Sequence, residues 1–138
     1  MVGEIRAKFR LTNAIDAGLH DRGLLPAKKV RSCKVDALVD TGAVLPVIPR
    51  RIVKKLGIGI KRQRRIELAD GRRKTVDITE PIEFTWDDRS TAEEAFVVGD
   101  DVLIGQTVLE KLDLLADCTN QQLVPNPKHP EGPVLSLK

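Results

Sequence analysis

Ile5, Ala7, Phe9 and Leu11 alternate with Arg6, Lys8 and Arg10, and the same period of two returns along most of the chain. A strand puts successive side chains on opposite faces, so this alternation describes strands with one dry and one wet face. Cys33, Val35, Ala37 and Val39 repeat the pattern up to Asp40. Ile66 and Leu68 lead into Asp70-Gly71, a two-residue hairpin signal. Val76, Ile78, Ile82, Phe84 and Trp86 then share one parity, with Pro81 on the other face marking an edge or a bulge. Asp87-Asp88-Arg89-Ser90 turns the chain, residues 92–98 return as a strand, and Gly99-Asp100-Asp101 turns it into Val102-Leu103-Ile104-Gly105. Leu114, Leu115 and Cys118 predict a further strand, Asn120-Gln121 a turn, and Leu123-Val124 the return. Helix signals are few. Pro49 suits a first helical turn, Ile52, Val53 and Leu56 make one apolar face, and Gly57 stops it. Gln106–Leu112 predicts a second short helix, while Asn, Gly and Pro breakers make residues 12–30 a long loop. The sum is an all-β, mostly antiparallel domain with one or two short helices.

A chain of 138 residues fits a single domain, with 1–124 as its body and 125–138 as a Pro-rich tail outside the core. No apolar stretch approaches the ~20 residues of a membrane helix, and the first ten residues lack a signal-peptide core. The expected setting is the cytoplasm, with no membrane partner. Cys33 and Cys118 form no CxxC pair and are expected as two buried free thiols, not as disulfide or zinc ligands. His20 and His129 fall in loop-like sequence without ligand spacing, so no metal and no organic cofactor is expected. Net charge is only +3, yet eleven Lys and Arg lie between Arg50 and Lys74 against Glu67 and Asp70 alone. Such a block can meet nucleic acid. It carries no interleaved aromatics, and three Phe and one Trp in the whole chain leave few base-stacking platforms. A solvated face, or an attractor for acidic partners, is the better reading.

The segment Val35-Asp36-Ala37-Leu38-Val39-Asp40-Thr41-Gly42-Ala43-Val44 sets the chemical question, because an apolar strand delivers a carboxylate into a Thr-Gly turn. A plain surface turn is one reading, since Asp and Gly are ordinary turn formers. A phosphoryl-transfer aspartate is another, but that chemistry commonly wants a second acid where Gly42 stands. The third is half of an acid dyad. Two carboxylates about 3 Å apart share one proton, so one serves as base toward a water while the other polarises a carbonyl. A dyad needs an Asp on a rigid strand end, a hydroxyl to brace the turn, and a glycine where backbone meets the partner loop. Asp40-Thr41-Gly42 offers all three, but only once in the chain. A twofold dimer would supply the second copy, and would bury the carboxylate against its own symmetry mate.

In this order of motifs the chain resembles the retropepsin-like aspartic proteases, single-domain homodimeric relatives of pepsin. The resemblance runs from about Glu4 to Val124 and rests on VDALVDTGAVLPVI, then ELADGRRKTV, then VLIGQTVLEKL. It implies a single pepsin-like lobe, Asp40 as the catalytic aspartate, and Thr41, Gly42 and Ala43 as support of the active-site loop. It implies a flap at Ala69, Asp70, Gly71 and Arg72 that closes over an extended peptide. Gly105 would belong to the strand that supports the catalytic loop. Val44, Ile66, Leu68, Leu103 and Ile104 are candidates for the substrate pocket. Some positions depart from the retroviral pattern. The extra N-terminal strand of those proteases is missing before Glu4, which leaves a hairpin within 113–124 to close the dimer. The acid and arginine that pair in those proteases fall on Val44 and Gln106 here, and no Tyr exists to serve a pepsin-type flap. The expected activity is peptide-bond hydrolysis by an Asp-activated water in a homodimeric endopeptidase. The rival is a catalytically weak dimerisation or peptide-binding module on the same fold.

Overall fold

The computed structural model describes residues 4–135 and 137. In chain order the elements are β1 (Arg6–Asn13), α1 (Ala14–Asp21), a 3-10 turn (Ala27–Lys29), β2 (Ser32–Val39), β3 (Val47–Ile48), α2 (Arg50–Leu56), β4 (Ile60–Glu67) and β5 (Arg73–Thr79). They continue as β6 (Ile82–Trp86), β7 (Arg89–Glu93), β8 (Phe96–Val97), β9 (Leu103–Ile104), α3 (Gln106–Leu112), β10 (Leu114–Asp117) and β11 (Gln122–Pro125). Nine strands form one sheet in the order β4-β5-β8-β3-β9-β2-β1-β6-β7, and β10 and β11 pair separately. The pairing is antiparallel except for β2 with β9 and β3 with β8. Among the described residues this is a mostly-β fold with three short α-helices.

The alternation in the sequence decides which side of each strand is dry. Phe9 and Leu11 of β1, Ala37 of β2, and Ile82 and Phe84 of β6 enter one core with Ile48, Ile104 and the apolar faces of α2 and α3. Pro49 caps α2, and Gly57 stops it in the left-handed conformation at φ 60°. Both short helices fall where the apolar spacing puts them.

Residues 12–30 are not a long loop. β1 runs on to Asn13, whose side chain accepts the Asp16 N–H at 3.0 Å and so starts α1, while its amide donates to Leu56 O at 3.0 Å. Asp16 is buried and accepts the Arg31 N–H at 3.0 Å, Nε at 2.8 Å and Nη2 at 3.0 Å. The Arg31 side-chain hydrogen bonds hold the Asp16 carboxyl below its usual range, against the opposing pull of burial. Only the second glycine of that segment, Gly23 at φ 75°, lies beyond the helix, and Gly18 sits inside it. His20 is therefore helical.

Four other local readings change. Pro81 lies between two strands, β5 on one side of the sheet and β6 on the other. Residues 92–98 split into the end of β7 and β8, because Glu93 turns to Lys111 at 2.8 Å and Glu94 to Lys61 at 2.9 Å. The hairpin at Asp70-Gly71 has a three-residue loop: Leu68 N–H donates to Arg72 O at 2.7 Å, and Gly71 N–H to Leu68 O at 2.9 Å. Gly71 takes φ 85°, which any side chain would resist. Cys33 is buried as expected, but Cys118 lies exposed in the β10–β11 turn instead of within a strand.

Candidate active site

β2 lies between β1 and β9 and ends at Val39, so Asp40 leaves the sheet with its backbone still tied down. Its N–H donates to Ile104 O at 3.0 Å, and its carbonyl accepts the Ala43 N–H at 3.1 Å. Gly42 N–H donates to Asp40 Oδ1 at 3.0 Å, which fixes the side-chain rotamer from within the turn. The turn is held from below by α3. Gln106 N–H donates to Ala43 O at 2.7 Å and Thr107 N–H to Val44 O at 3.1 Å. Gly105 makes this approach possible, since a Cβ there would stand 2.6 Å from Ala43 O and 2.9 Å from Val44 O. Backbone amides thus anchor the loop where the retroviral resemblance puts an acid–arginine pair. Gln106 spends its side chain on Glu110 at 3.1 Å, and Val44 is 70% exposed.

Within one chain Asp40 is half-buried as a residue, while Thr41 and Gly42 are exposed. The single chain covers Asp40 only in part, and the burial expected against a symmetry mate would be a property of the dimer. Among the described residues the Asp40 carboxylate accepts only the Gly42 N–H and is engaged in no ion pair. A locked carboxylate with free lone pairs and no cation can take a proton from water.

The ladder reveals a second feature. Leu38 stands opposite Leu103, Leu103 opposite Val47, Val47 opposite Phe96, and Phe96 opposite Ile78. Directly opposed residues share a face, so these five make one apolar row across five strands. Leu38, Leu103, Val47 and Phe96 are half-buried, whereas Ile104 lies on the other face, fully within the core. Of the pocket candidates Leu103 belongs to this row and Ile104 does not. Leu38, Val47 and Phe96 were missed by the sequence reading. Parity could have found Leu38, which shares the face of Asp40 two residues on.

Ile66 and Leu68 are half-buried on the β4–β5 hairpin, and Ala69, Asp70, Gly71 and Arg72 at its tip are exposed. A cavity of about 360 Å³ beside Asp40 is lined by Leu38, Val39, Thr41, Ile5, Ala116 and Cys118 among others, with no hairpin residue. A second, of about 530 Å³, joins Thr41 and Gln106 to Leu115 and Val134. Neither of these two cavities includes a residue of the hairpin tip. Among the described residues no three His, Cys, Asp or Glu side chains are grouped to hold a metal, and no helix is long and apolar enough to cross a membrane.

The sequence matches the family model described as aspartyl protease over residues 28–108, a span that includes the Asp40 turn and Gly105. No curated protein matches it. The fold is similar to the retroviral protease-like domain of Ddi1 from Leishmania major, at 14% identity over 92% of this chain and 91% of that one, with a TM-score of 0.56. It is also similar to EIAV protease complexed with the inhibitor HBY-793, at 23% identity over 57% of this chain and 77% of that one, with a TM-score of 0.50.

Proposed function

Because the chain belongs to the aspartyl protease family and has a retropepsin-like fold, we propose that it is an aspartic endopeptidase that works as a homodimer. Asp40 from each chain forms the dyad. The observation that carries this reading is the seat of Asp40, fixed by backbone bonds on every side yet free, among the described residues, of any cation that would hold its carboxylate ionised. Brought together on a twofold axis, two such carboxyls share a proton. The ionised one takes a proton from a water as that water attacks the peptide carbonyl, and the protonated one polarises the carbonyl oxygen. Substrate lies extended and pairs by its backbone as an added strand, with side chains against Leu103 and its neighbours in the apolar row. The flap around Ala69, Asp70, Gly71 and Arg72 closes over it.

The dimer contact we favour is the β10–β11 hairpin. Among the described residues each of its strands has only one partner, and Leu115 is 46% exposed. A free edge beside an apolar side chain suits a symmetric partner. A cytoplasmic setting is part of the proposal and fits two unpaired cysteines. Sedimentation at micromolar concentration and a peptide-library digest test the whole. Dimers whose cleavage disappears with Asp40→Asn support it. A folded dimer that binds peptides and cuts none overturns it in favour of a binding module.

A further inference from the structure

The β4–β5 hairpin has two chemically different faces. Cross-strand pairs put Arg62 with Ile78, Arg64 with Val76 and Ile66 with Lys74 on one side, and Gln63 with Asp77, Arg65 with Thr75 and Glu67 with Arg73 on the other. Ile78 is also the last member of the apolar row that begins at Leu38, so the first face continues that row into the hairpin. Both carboxylates of the paired strands, Glu67 and Asp77, lie on the opposite face. Most cations of the hairpin are already engaged. Lys61 and Arg62 share Glu94 at 2.9 and 2.6 Å, Arg72 meets Asp70 at 2.6 Å, and Arg73 meets Glu67 at 3.8 Å. Arg64, Arg65 and Lys74 are exposed and engage no carboxylate among the described residues. Arg64 and Lys74 share the face of the apolar row, diagonal to one another across the ladder, and Arg65 points the other way.

We propose that Arg64 and Lys74 select acidic side chains in the extended peptide, so that the preferred ligand has an apolar centre flanked by Asp or Glu. This rests on the peptidase reading for its ligand class, but not for its test. The physical reason is complementarity: two unpaired cations continue the apolar row with no acid of their own hairpin face to neutralise them, and an acidic peptide supplies the missing charge. A nucleic acid would meet the charges of both faces alike, through its phosphates, and would draw equally on Arg65.

The test uses the full chain carrying Asp40→Asn, which leaves any peptide intact, and reads binding by fluorescence anisotropy. The probes are an extended peptide with an apolar centre flanked by Glu and the same peptide with Gln. At low salt the Glu peptide should bind roughly tenfold tighter, two exposed pairs being worth that much together. Arg64→Gln with Lys74→Gln should remove the difference, while Arg65→Gln leaves it within about twofold. All three side chains are exposed on strands, and melting curves of the variants verify that the fold is retained. Equal binding of the two peptides, or no binding of either, overturns the inference. So does a loss from Arg65→Gln as large as from the pair, or a single-stranded oligonucleotide of equal charge that binds with the same dependence on Arg65. Cleavage of the Gln peptide by the unmodified chain is scored separately. Cleavage without Glu preference sinks only the selectivity, and Glu preference without cleavage sinks only the peptidase.

Discussion

Asp40 and Asp113 each stand where an apolar element stops, and one cavity runs from Thr41 beside the first to Asp113 itself. There the likeness ends. Asp113 follows α3 in the left-handed conformation at φ 55°, with its carboxylate almost fully used. It accepts Asn126 Nδ2 at 3.0 Å and Val134 N–H at 3.1 Å, and His129 Nδ1 lies 2.5 Å from its Oδ2. Its carbonyl accepts the Asn126 N–H at 3.0 Å and Arg89 Nη1 at 3.2 Å. Burial pushes this carboxyl up, but the bonds from Asn126, Val134 and His129 outweigh it and leave the group below its usual range. Asp40 accepts one N–H from its own turn. A carboxylate spent on three donors is part of the scaffold, and one with most of its lone pairs to spare can do chemistry. The comparison also revises the view of the tail. Residues 126–134 stay outside the core but are latched to α3 through Asp113.

The contrast can be broken by neutralising the carboxylate at each of the two sites. Asp40→Asn should lower cleavage by about 10²- to 10⁴-fold, the usual worth of a proton-transfer group, with an unchanged melting temperature. An Asn oxygen can still accept the Gly42 N–H. Kinetics on an apolar peptide together with calorimetry check both halves. If the melting temperature falls as far as the rate does, Asp40 is scaffold like Asp113.

Next in size is Leu115→Asp, placed on the free β10–β11 edge. It should turn a dimer into monomers across the micromolar range in sedimentation, with activity lost in parallel. An unshifted dimer would locate the interface elsewhere. Gly105→Ala comes third. Its Cβ would press on carbonyl oxygens of Ala43, Val44 and Leu45, which cannot rotate away. We expect a loss of about 2–3 kcal/mol in denaturant unfolding.

The smallest effect concerns Asp113→Asn and is seen only through pH. A folded-state pKa lowered from 3.8 means the ionised form is held more tightly in the native protein. That stabilisation is complete above the ordinary carboxylate value and is lost as the pH falls through the lowered one. The melting difference between the parent chain and Asp113→Asn should therefore be full at neutral pH and close in strong acid. Cleavage at room temperature should persist. A difference that grows on acidification would reverse the sign and refute the latch.

Much of this architecture is legible in the amino-acid sequence alone. Strand parity identifies β1 and β2, apolar residues either side of a turn signal identify β10 and β11, and Pro49, Gly57 and the apolar spacing identify α2 and α3, because each depends on neighbours a few residues apart. The Asp40 turn is legible for the same reason. What escapes depends on distant partners. α1 hides among breakers because its start depends on Asn13 reaching Leu56 and its buried acid on Arg31. The apolar row cannot be read because Leu38, Leu103, Val47 and Phe96 come from four separate strands whose order is not sequential. The latch escapes because a Pro-rich segment reads as unstructured unless its acceptor, Asp113, is known.

The central claim is that one carboxylate from each of two chains does the chemistry, and subunit mixing measures it most directly. Parent chain and Asp40→Asn chain are combined in equal amounts, allowed to exchange, and assayed at fixed total protein. If both aspartates are needed, only dimers with two intact copies cut, and random pairing leaves about one quarter of the parent activity. Activity of about one half would mean that each chain works alone, and the shared dyad would be wrong.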